Sequence, residues 1–338
     1  MLMLSICIPS YNRFQVLQKN LDSILESNSK QFEVIIVDNC SPEDICQKLD
    51  ISDSRVKIIR RKEPVYGLRN ISECLRYAKG KYALLCLDKD QVNGRYLEQF
   101  INCLKKNPNI CGGYCGQDWG KGVIDTEPLI YTDNTLREFG YLSKHPSGDF
   151  YRMSCINKWF QDLSNPLLDD PFFFDILLAE CASCGAMLKF QEAMITVESP
   201  EECLKIKSIS ISPEKGNLYF FPENRIKQFR VFCEHLKLLK CREKDRYAVI
   251  YDLYKRTLLH ITRTFKESMD NRNICTHYHI ISHKVSFKEL IYWWWYFNWY
   301  FLCADILQVP LHKRMHIIVG VHINAIRKKF KKYLHKML

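Results

Sequence analysis

The first 110 residues alternate apolar runs with stretches of helical periodicity, and this alternation constrains the fold more than any other feature of the 338-residue sequence. The apolar runs have the length and continuity of buried strands, and they occupy residues 4–9, 32–37, 56–59 and 82–87. Between them, apolar side chains recur at three- and four-residue spacing, which is typical of amphipathic helices. Continuous apolar strands joined by helices favour a mostly parallel sheet covered on both faces. The sequence therefore predicts an α/β fold.

Polar side chains follow three of these strands at the point where each strand ends. Tyr11 and Asn12 follow the first strand, and Asp38 follows the second. Asp88 and Asp90 follow the fourth strand. In open α/β sheets, ligands bind in the crevice at the carboxyl ends of the strands. We therefore expect one site that collects these side chains.

The pair Asp88 and Asp90 suggests a divalent cation. Mg²⁺ and Mn²⁺ prefer oxygen ligands and usually take one or two carboxylates, with phosphate and water completing the shell. Such a cation stabilises the charge that develops on a nucleoside diphosphate leaving group. The alternative for this short motif, taken alone, is an acidic turn that faces solvent.

Three blocks of the sequence match a known family in order and spacing. The blocks are SICIPSYNR, FEVIIVDNCSPED and YGLRNISECLRYAKGKYALLCLDKD. Over roughly residues 3–107 the chain resembles the family 2 glycosyltransferases, of the type that builds bacterial surface polysaccharides. The resemblance implies the GT-A fold, a nucleotide-binding sandwich with a mostly parallel central sheet, and inverting sugar transfer. It also implies that Pro9, Tyr11, Asn12 and Asp38 hold the nucleotide base.

The same resemblance implies roles for residues of the third block. Arg69 would lie near the base or the phosphates, Asp88 near the ribose, and Asp90 on a Mn²⁺ or Mg²⁺ ion. The sequence departs from the family at Asn39 and Gln91, where the family often has further acids. These departures leave the nucleotide base of the donor open.

An inverting transferase needs a general base that takes the proton from the acceptor hydroxyl. The family draws this base from an acidic motif before a helix that ends near a glycine, which here is Gly185. The resemblance implies Asp175 as the first choice and Asp170 as the second. The alternative is that Asp169 or Asp170 only caps the following helix.

The positive charge of the chain belongs to its C-terminal third. Residues 226–338 carry 22 Lys and Arg against 8 Asp and Glu, whereas residues 1–225 carry 27 against 30. We expect a GT-A catalytic domain at 1–225, with a nucleotide-sugar-binding half at 1–110 and an acceptor half at 111–225. Residues 226–338 would form a basic, aromatic-rich helical extension.

The extension has two features that favour an anionic membrane surface. Residues 290–302 read LIYWWWYFNWYFL, which is too short to cross a bilayer, and Trp and Tyr prefer its interface. A later helical pattern has an apolar face and a basic face, and a helix of this kind can lie on anionic lipid. The apolar face comprises Val319, Ile323, Ile326, Phe330, Tyr333, Leu334 and Met337, and the basic face comprises Arg327, Lys328, Lys329, Lys331, Lys332 and Lys336. The alternative is that the aromatic segment packs against the catalytic domain. A nucleic-acid partner is not expected, because no nucleic-acid-binding motif is present.

The compartment is expected to be the cytoplasm, at the inner face of the plasma membrane. The N-terminus has no secretory pattern, and the 16 cysteines are scattered singly, as reduced core cysteines are. Cys181 and Cys184 have CxxC spacing, but core packing is expected rather than zinc or redox chemistry. His145 is expected in a surface turn.

These observations predict an inverting, metal-dependent glycosyltransferase that moves a sugar from a nucleotide-sugar donor to a glycan or lipid-linked acceptor. One alternative is a non-catalytic, membrane-tethered partner that keeps the nucleotide pocket. A sugar nucleotidyltransferase is the other alternative, but it would need a triphosphate-binding loop after the first strand, and residues 9–13 do not form one.

Overall fold

The computed structural model describes residues 2–49, 51–118, 127–198, 218–304 and 309–337, with side chains up to residue 324 except that of His277. The chain divides into two compact units, Met1–Ser212 and Pro213–Leu338. The sequence placed this division after residue 225, which falls inside the helix Pro222–Leu238. The earlier division leaves that helix whole within the second unit.

In the first unit, the described strands form one nine-stranded mixed sheet, which confirms the α/β class. The strands are β1 Leu4–Ser10, β2 Phe32–Asp38, β3 Val56–Arg60, β4 Tyr82–Leu85, β5 Gln91–Val92, β6 Ile110–Asp118, β7 Leu129–Tyr131, β8 Asp149–Arg152 and β9 Ala186–Thr196. Their order is β3-β2-β1-β4-β8-β6-β9-β5, and β7 pairs with β9. The first four strands are mutually parallel, and β8 runs antiparallel to both β4 and β6. The carboxyl ends of β1, β2 and β4 therefore meet at one edge, close to the start of β8.

Helices cover both faces of the parallel strands. The helices of this unit are α1 Phe14–Leu25, α2 Ile45–Lys48, α3 Gly67–Cys74, α4 Leu97–Lys106, α5 Thr135–Phe139, α6 Met153–Ile156 and α7 Phe173–Cys184. Leu4, Ile6 and Ile8 of β1 share a buried cluster with apolar residues of α1 and α4. α3 packs against β1 and β2, and the Asn70 side chain donates to the carbonyl of Val37 on β2 (3.1 Å). Because successive strand residues point to opposite faces, both faces are apolar and both are covered.

The second unit is helical, as the sequence predicted. Its helices are α8 Pro222–Leu238, α9 Glu243–Leu259, α10 Phe265–Asp270, α11 Arg272–His277, α12 Phe287–Cys303 and α13 Leu311–Met337, and a π-helical turn links α9 to α10. Aromatic rings fill its centre, where the centroid of Tyr254 lies 4.5 Å from that of Phe301. The buried Tyr254 hydroxyl donates to Asn298 Oδ1 (2.7 Å). One aromatic side of α12 therefore builds the core of this unit.

The other side of α12 is exposed. Tyr292, Trp295, Tyr296 and Trp299 are 57%, 62%, 48% and 67% exposed. None of the helices that the structure describes is both long enough and apolar enough to span a bilayer. The predicted basic face from residue 327 onward lies outside the side chains that are described, as does the apolar face from residue 326.

Candidate active site

The turn after β1 connects the carboxyl ends of two other strands. The backbone N–H of Tyr11 donates to Asp88 Oδ2 beyond β4 (3.0 Å). The backbone N–H of Asn12 donates to Ser41 Oγ beyond β2 (2.8 Å). Asn12 has a φ of 54°, in the left-handed region that Asn tolerates better than most residues. The fold therefore brings together the polar residues that the sequence placed at one edge.

Asp38 is the fixed point of the β2 end. It is fully buried and accepts hydrogen bonds from the backbone N–H and the hydroxyl of Ser41. Arg60, at the end of β3, lies 3.4 Å from its Oδ2 through Nη1. A buried carboxylate is stable only when paired and hydrogen-bonded, and these contacts supply both conditions. Asn39 binds both backbone groups of Val65 through its amide and so holds the loop before α3.

Asp88 is paired with the side chain of Arg13, which the sequence motifs did not indicate as a site residue. Arg13 Nε lies 3.8 Å from Asp88 Oδ1, and Arg13 also donates to Glu198 Oε2 (3.4 Å). Burial raises the pKa of Asp88 to about 6, although the Arg13 charge and the Tyr11 N–H act in the opposite direction. Arg13 directly follows Tyr11 and Asn12 in the sequence, and this position could have indicated that it pairs with a site carboxylate.

Asp90 is fully buried and held by the segment that enters β8. Its Oδ2 lies 2.7 Å from His145 Nε2 and accepts a hydrogen bond from Ser147 Oγ, while its Oδ1 accepts from the Glu198 N–H (3.1 Å). Burial opposes ionisation, but the hydrogen bonds from His145 and Ser147 outweigh it and leave the pKa of Asp90 below its usual value. The expectation of a surface turn at His145 was wrong, because β8 pairs beside β4 and brings this segment to Asp90.

The donor set at the end of β4 fits a hard cation that arrives with a phosphate ligand. Mg²⁺ typically uses one or two protein carboxylates and leaves the other positions to phosphate and water, and Asp88 and Asp90 supply such a pair. Within the described residues, no group of three or more His, Cys, Asp or Glu side chains could hold a metal ion. The carboxylates therefore fit a shared protein–nucleotide site rather than an all-protein cage.

The Arg69 side chain binds to Asp169 and Leu163. Its Nε and Nη2 donate to the two carboxylate oxygens of Asp169 (2.8 and 2.5 Å), and Nη1 donates to the carbonyl of Leu163. This bidentate pair raises the pKa of Arg69 and links α3 to the turn before α7. Asp169 is thus an ion-pair partner.

The two candidate bases have different environments. Asp170 accepts from the backbone N–H of Phe172 (2.8 Å) in the turn that leads into α7, which is the structural role that the sequence left open. Asp175, in the first turn of α7, is 5% exposed and accepts from the Ser143 N–H (2.6 Å). Ser143 and His145 belong to one short segment, which contacts Asp175 at one point and Asp90 at another.

Asp149 is a further buried carboxylate in this area. It is 2% exposed and pairs with Lys144 Nζ (2.6 Å), and Lys144 also lies over the Tyr114 ring, 3.5 Å from its centroid. Burial raises the pKa of Asp149 to about 6 in spite of Lys144. The spacing of the sequence gave no signal for this group, because Lys144 and Asp149 meet only through the turn that enters β8.

The fold resembles that of a solved structure. S. aureus TarS 1-349 superposes with a TM-score of 0.54 at 12% identity, over 82% of this chain and 89% of that chain. The parallel strands with polar residues at their carboxyl edge, together with this likeness, define a GT-A-like α/β fold. Residues 5–155 match the family model "Glycosyl transferase family 2".

Two curated relatives agree with the family match. An uncharacterized glycosyltransferase of Haemophilus influenzae is 34% identical over 108 residues, which make up 32% of this chain and 36% of that protein. The Escherichia coli protein WfgD is a UDP-Glc:alpha-D-GlcNAc-diphosphoundecaprenol beta-1,3-glucosyltransferase. It is 30% identical over 109 residues, or 31% of this chain and 42% of WfgD. The chain spans between 25% and 64% of the length of the first curated relatives that it matches.

Proposed function

We propose that the protein is an inverting, metal-dependent glycosyltransferase that moves a sugar from a nucleotide-sugar donor to a glycan or lipid-linked acceptor. The observation that carries this proposal is the pair Asp88 and Asp90. The pair follows β4 within the region that matches the family model and is tied to the turn after β1 by the Tyr11 N–H. In open α/β sheets, ligands bind at the carboxyl ends of the strands, which supports a role for this pair beside the nucleotide phosphates.

The nucleotide would lie along the edge formed by β1, β2 and β4. Pro9, Tyr11 and Asn12 are the end of β1 and its turn, and Asp38 is held rigidly at the end of β2. A buried hydrogen-bond acceptor such as Asp38 suits recognition of a base N–H. The donor in the name of WfgD is UDP-glucose, which supports a nucleoside diphosphate sugar as the substrate class.

Asp90 and Asp88 would hold Mn²⁺ or Mg²⁺ together with the diphosphate. The cation supplies charge stabilisation for the leaving nucleoside diphosphate. His145 and Ser147 fix the orientation of Asp90, and Arg13 limits the negative charge at Asp88. The chain's own contribution is therefore a pre-oriented pair of carboxylates.

Asp175 is our assignment for the general base. The Asp170 carboxylate already binds the Phe172 N–H in a turn, whereas the Asp175 carboxylate is held by the same segment that reaches Asp90. An inverting transfer needs a base that removes the acceptor proton as the oxygen attacks the anomeric carbon. Arg69, bonded to Asp169, would then act as a positioning residue at the nucleotide side.

One observation supports a class of acceptor, and another supports a location in the cell. WfgD acts on a diphosphoundecaprenol-linked sugar, which supports a lipid-linked acceptor in surface polysaccharide synthesis. On the second unit, exposed apolar residues recur every four positions along α13 at Leu311, Met315, Val319 and Ile323. With the exposed rings of α12, they would bind an anionic membrane surface, placing the enzyme at the cytoplasmic face of the plasma membrane.

The test is a donor panel with Mn²⁺, run with and without EDTA. We expect transfer or slow hydrolysis from one nucleotide sugar, and loss of that turnover when EDTA is added. Turnover that is unaffected by EDTA would contradict the metal role. Tight nucleotide binding without turnover for every donor and acceptor would instead identify the protein as an inert partner that keeps the pocket.

A further inference from the structure

Four cysteines from separate parts of the chain meet at the sheet edge opposite to the candidate active site. Cys111 lies near the start of β6, Cys155 lies in α6, and Cys181 and Cys184 lie in the last turns of α7. β6 runs parallel to β4, because both pair antiparallel with β8, so the start of β6 is remote from Asp88 and Asp90. From the sequence alone, Cys181 and Cys184 are expected to pack in the core, and their spacing does not connect them with Cys111 or Cys155.

Two glycines leave the space that these side chains occupy. A Cβ atom added at Gly185 would lie 2.8 Å from Cys111 Sγ, and one added at Gly112 would lie 3.2 Å from Cys181 Sγ. Interactions with the thiols of Cys111, Cys181 and Cys184 raise the pKa of Cys155, so the Cys155 side chain lies beside all three. The four sulfurs therefore form one cluster with Cys155 at its centre, which we call the thiol cluster.

The members of the thiol cluster differ in accessibility and charge. Cys184 is exposed and Cys155 is partly exposed, whereas Cys111 and Cys181 are buried. A hydrogen bond from Cys155 lowers the pKa of Cys184 to about 6, and the Cys155 pKa is raised by the same interactions. The thiolate is the reactive form of cysteine, so these opposite pKa shifts favour reaction at the accessible Cys184 rather than at Cys155.

Positive charge on the buried side supports the same distribution. Arg152 Nη1 donates to Cys111 Sγ (3.7 Å), and its Nη2 donates to the carbonyl of Pro108 (2.7 Å), which fixes the guanidinium. A hydrogen bond from Cys155, and then the charge of Arg152, lower the pKa of Cys111 to about 6. Cys111 and Cys184, the two partners of Cys155 with lowered pKa values, are therefore favoured as thiolates relative to Cys155.

We propose that Cys184 and Cys155 are a hydroperoxide-reactive dithiol that closes to a disulfide. The arrangement is an exposed nucleophile with an adjacent resolving thiol, as in redox-sensing cysteines. Metal binding is less compatible with the geometry, since in the described part of the chain no set of three or more ligand side chains could hold a metal ion. This proposal does not depend on the proposed function.

The reaction balances with hydrogen peroxide as the oxidant. The Cys184 thiolate attacks one peroxide oxygen, the O–O bond breaks, and hydroxide leaves, so that Cys184 becomes a sulfenic acid. Cys155 then attacks the Cys184 sulfur, the S–O bond breaks and the S–S bond forms. The departing hydroxide takes the Cys155 proton as water. In total, two thiols and one hydrogen peroxide give one disulfide and two waters.

The test treats the full chain with hydrogen peroxide, blocks remaining thiols with N-ethylmaleimide, and maps disulfides by mass spectrometry of the digest. We expect a linked pair of peptides that contain Cys155 and Cys184, reversed by dithiothreitol. With C155S, which lacks the resolving thiol, a dimedone adduct should accumulate on Cys184. With C184S, neither the disulfide nor the adduct should form.

Cys46 is the matched control. It is also exposed, but burial and the neighbouring Asp44 raise its pKa. We expect Cys184 to react with peroxide at least about tenfold faster than Cys46, because a much larger fraction of Cys184 is thiolate at neutral pH. C46S should leave the Cys155–Cys184 disulfide unchanged.

Two results would overturn the proposal. One is equal labelling rates for Cys184 and Cys46 with no linked peptide in the wild-type chain, a measurement that needs no variant to fold. The other is a stoichiometric metal ion in the purified protein, detected by elemental analysis, that protects the four thiols from N-ethylmaleimide until a chelator removes it.

Discussion

The two compact units handle unfavourable groups in opposite ways. The first unit buries carboxylates at the strand ends and compensates each one, as with Asp38, Asp90 and Asp149. The second unit leaves large aromatic rings of α12 in contact with solvent, including Trp295 and Trp299. Buried charge is tolerated only where its partners are fixed, and exposed rings persist mainly where a surface covers them in use. The first unit thus stabilises charge in its interior, whereas the second exposes apolar rings at its surface.

The largest expected effect in this comparison is at Asp90. Asp90→Asn keeps the size of the side chain but removes the charge, and we expect transfer to fall by at least about 10³-fold, since metal-assisted charge stabilisation contributes several kcal/mol. Steady-state transfer from the active donor measures the loss. Asp162→Asn is the control, because Asp162 is exposed and its carboxylate accepts from the N–H and hydroxyl of Ser164. If the transfer rate of D90N is within a few-fold of the wild-type rate, the assignment of Asp90 to the metal site is wrong.

Asp175 and Asp170 separate a catalytic carboxylate from a structural one. We expect Asp175→Asn to lower transfer by about 10²-fold or more, the size typical of a lost general base, with donor affinity unchanged. Asp170→Asn should retain most activity, because the Asp170 carboxylate accepts from the Phe172 N–H in the turn before α7. Transfer kinetics and nucleotide titration by calorimetry measure the two quantities. A greater loss in D170N than in D175N, at equal thermal stability, would reverse the assignment.

The next largest effect is expected on vesicle binding, when exposed rings of α12 in the second unit are removed. Replacing Trp295 and Trp299 by Ala should weaken binding to anionic vesicles by about tenfold, because two interfacial rings would no longer be buried. Co-sedimentation with vesicles at low salt measures this affinity. Transfer to a soluble acceptor should not change. Leu129→Ala, at an exposed apolar position in the first unit, is the control. Unchanged vesicle binding in the double variant would exclude this face of α12.

The smallest effect is expected inside the second unit. Tyr254→Phe removes the donor to Asn298 Oδ1 and leaves a buried acceptor without that partner. We expect a loss of about 1–2 kcal/mol in the free energy of unfolding, measured by urea denaturation. Tyr292→Phe, at an exposed position on α12, should change it little. Equal stability of the two variants would mean that the buried side of α12 is not fixed by this hydrogen bond.

Much of the secondary structure of the first unit could be predicted from the pattern of apolar residues. The predicted strands at 4–9, 32–37 and 56–59 each match an observed strand within one residue at either end, because a continuous apolar run is long enough to define itself. The placement of Asp38 and Asp88 at one edge followed from parallel pairing alone. The predicted strand at 82–87 is shorter in the structure, where β4 ends at Leu85. Beyond this residue, the Leu87 N–H bonds to Ser147 Oγ instead of a neighbouring strand.

The hydrogen-bond and ion-pair partners of the site residues could not be predicted in the same way. His145, Ser147 and Glu198 reach Asp90 only because β8 pairs with β4 and the chain after β9 returns to this edge. Arg69 was expected at the nucleotide and is bonded to Asp169, a residue 100 positions later. The sequence pattern does not predict such pairs, because each pair depends on a distance that is set by the conformations of several loops.

The sequence by itself determined the α/β class, the carboxylates at the strand ends and the helical, basic C-terminal third, since each depends on local periodicity or composition. Only the tertiary structure decided which carboxylates are compensated, which aromatic rings of α12 remain exposed, and that Cys111, Cys155, Cys181 and Cys184 meet. The physical reason is that burial and hydrogen bonding are properties of neighbourhoods. A neighbourhood assembled from β6, α6 and α7 has no signature in the order of residues along the chain.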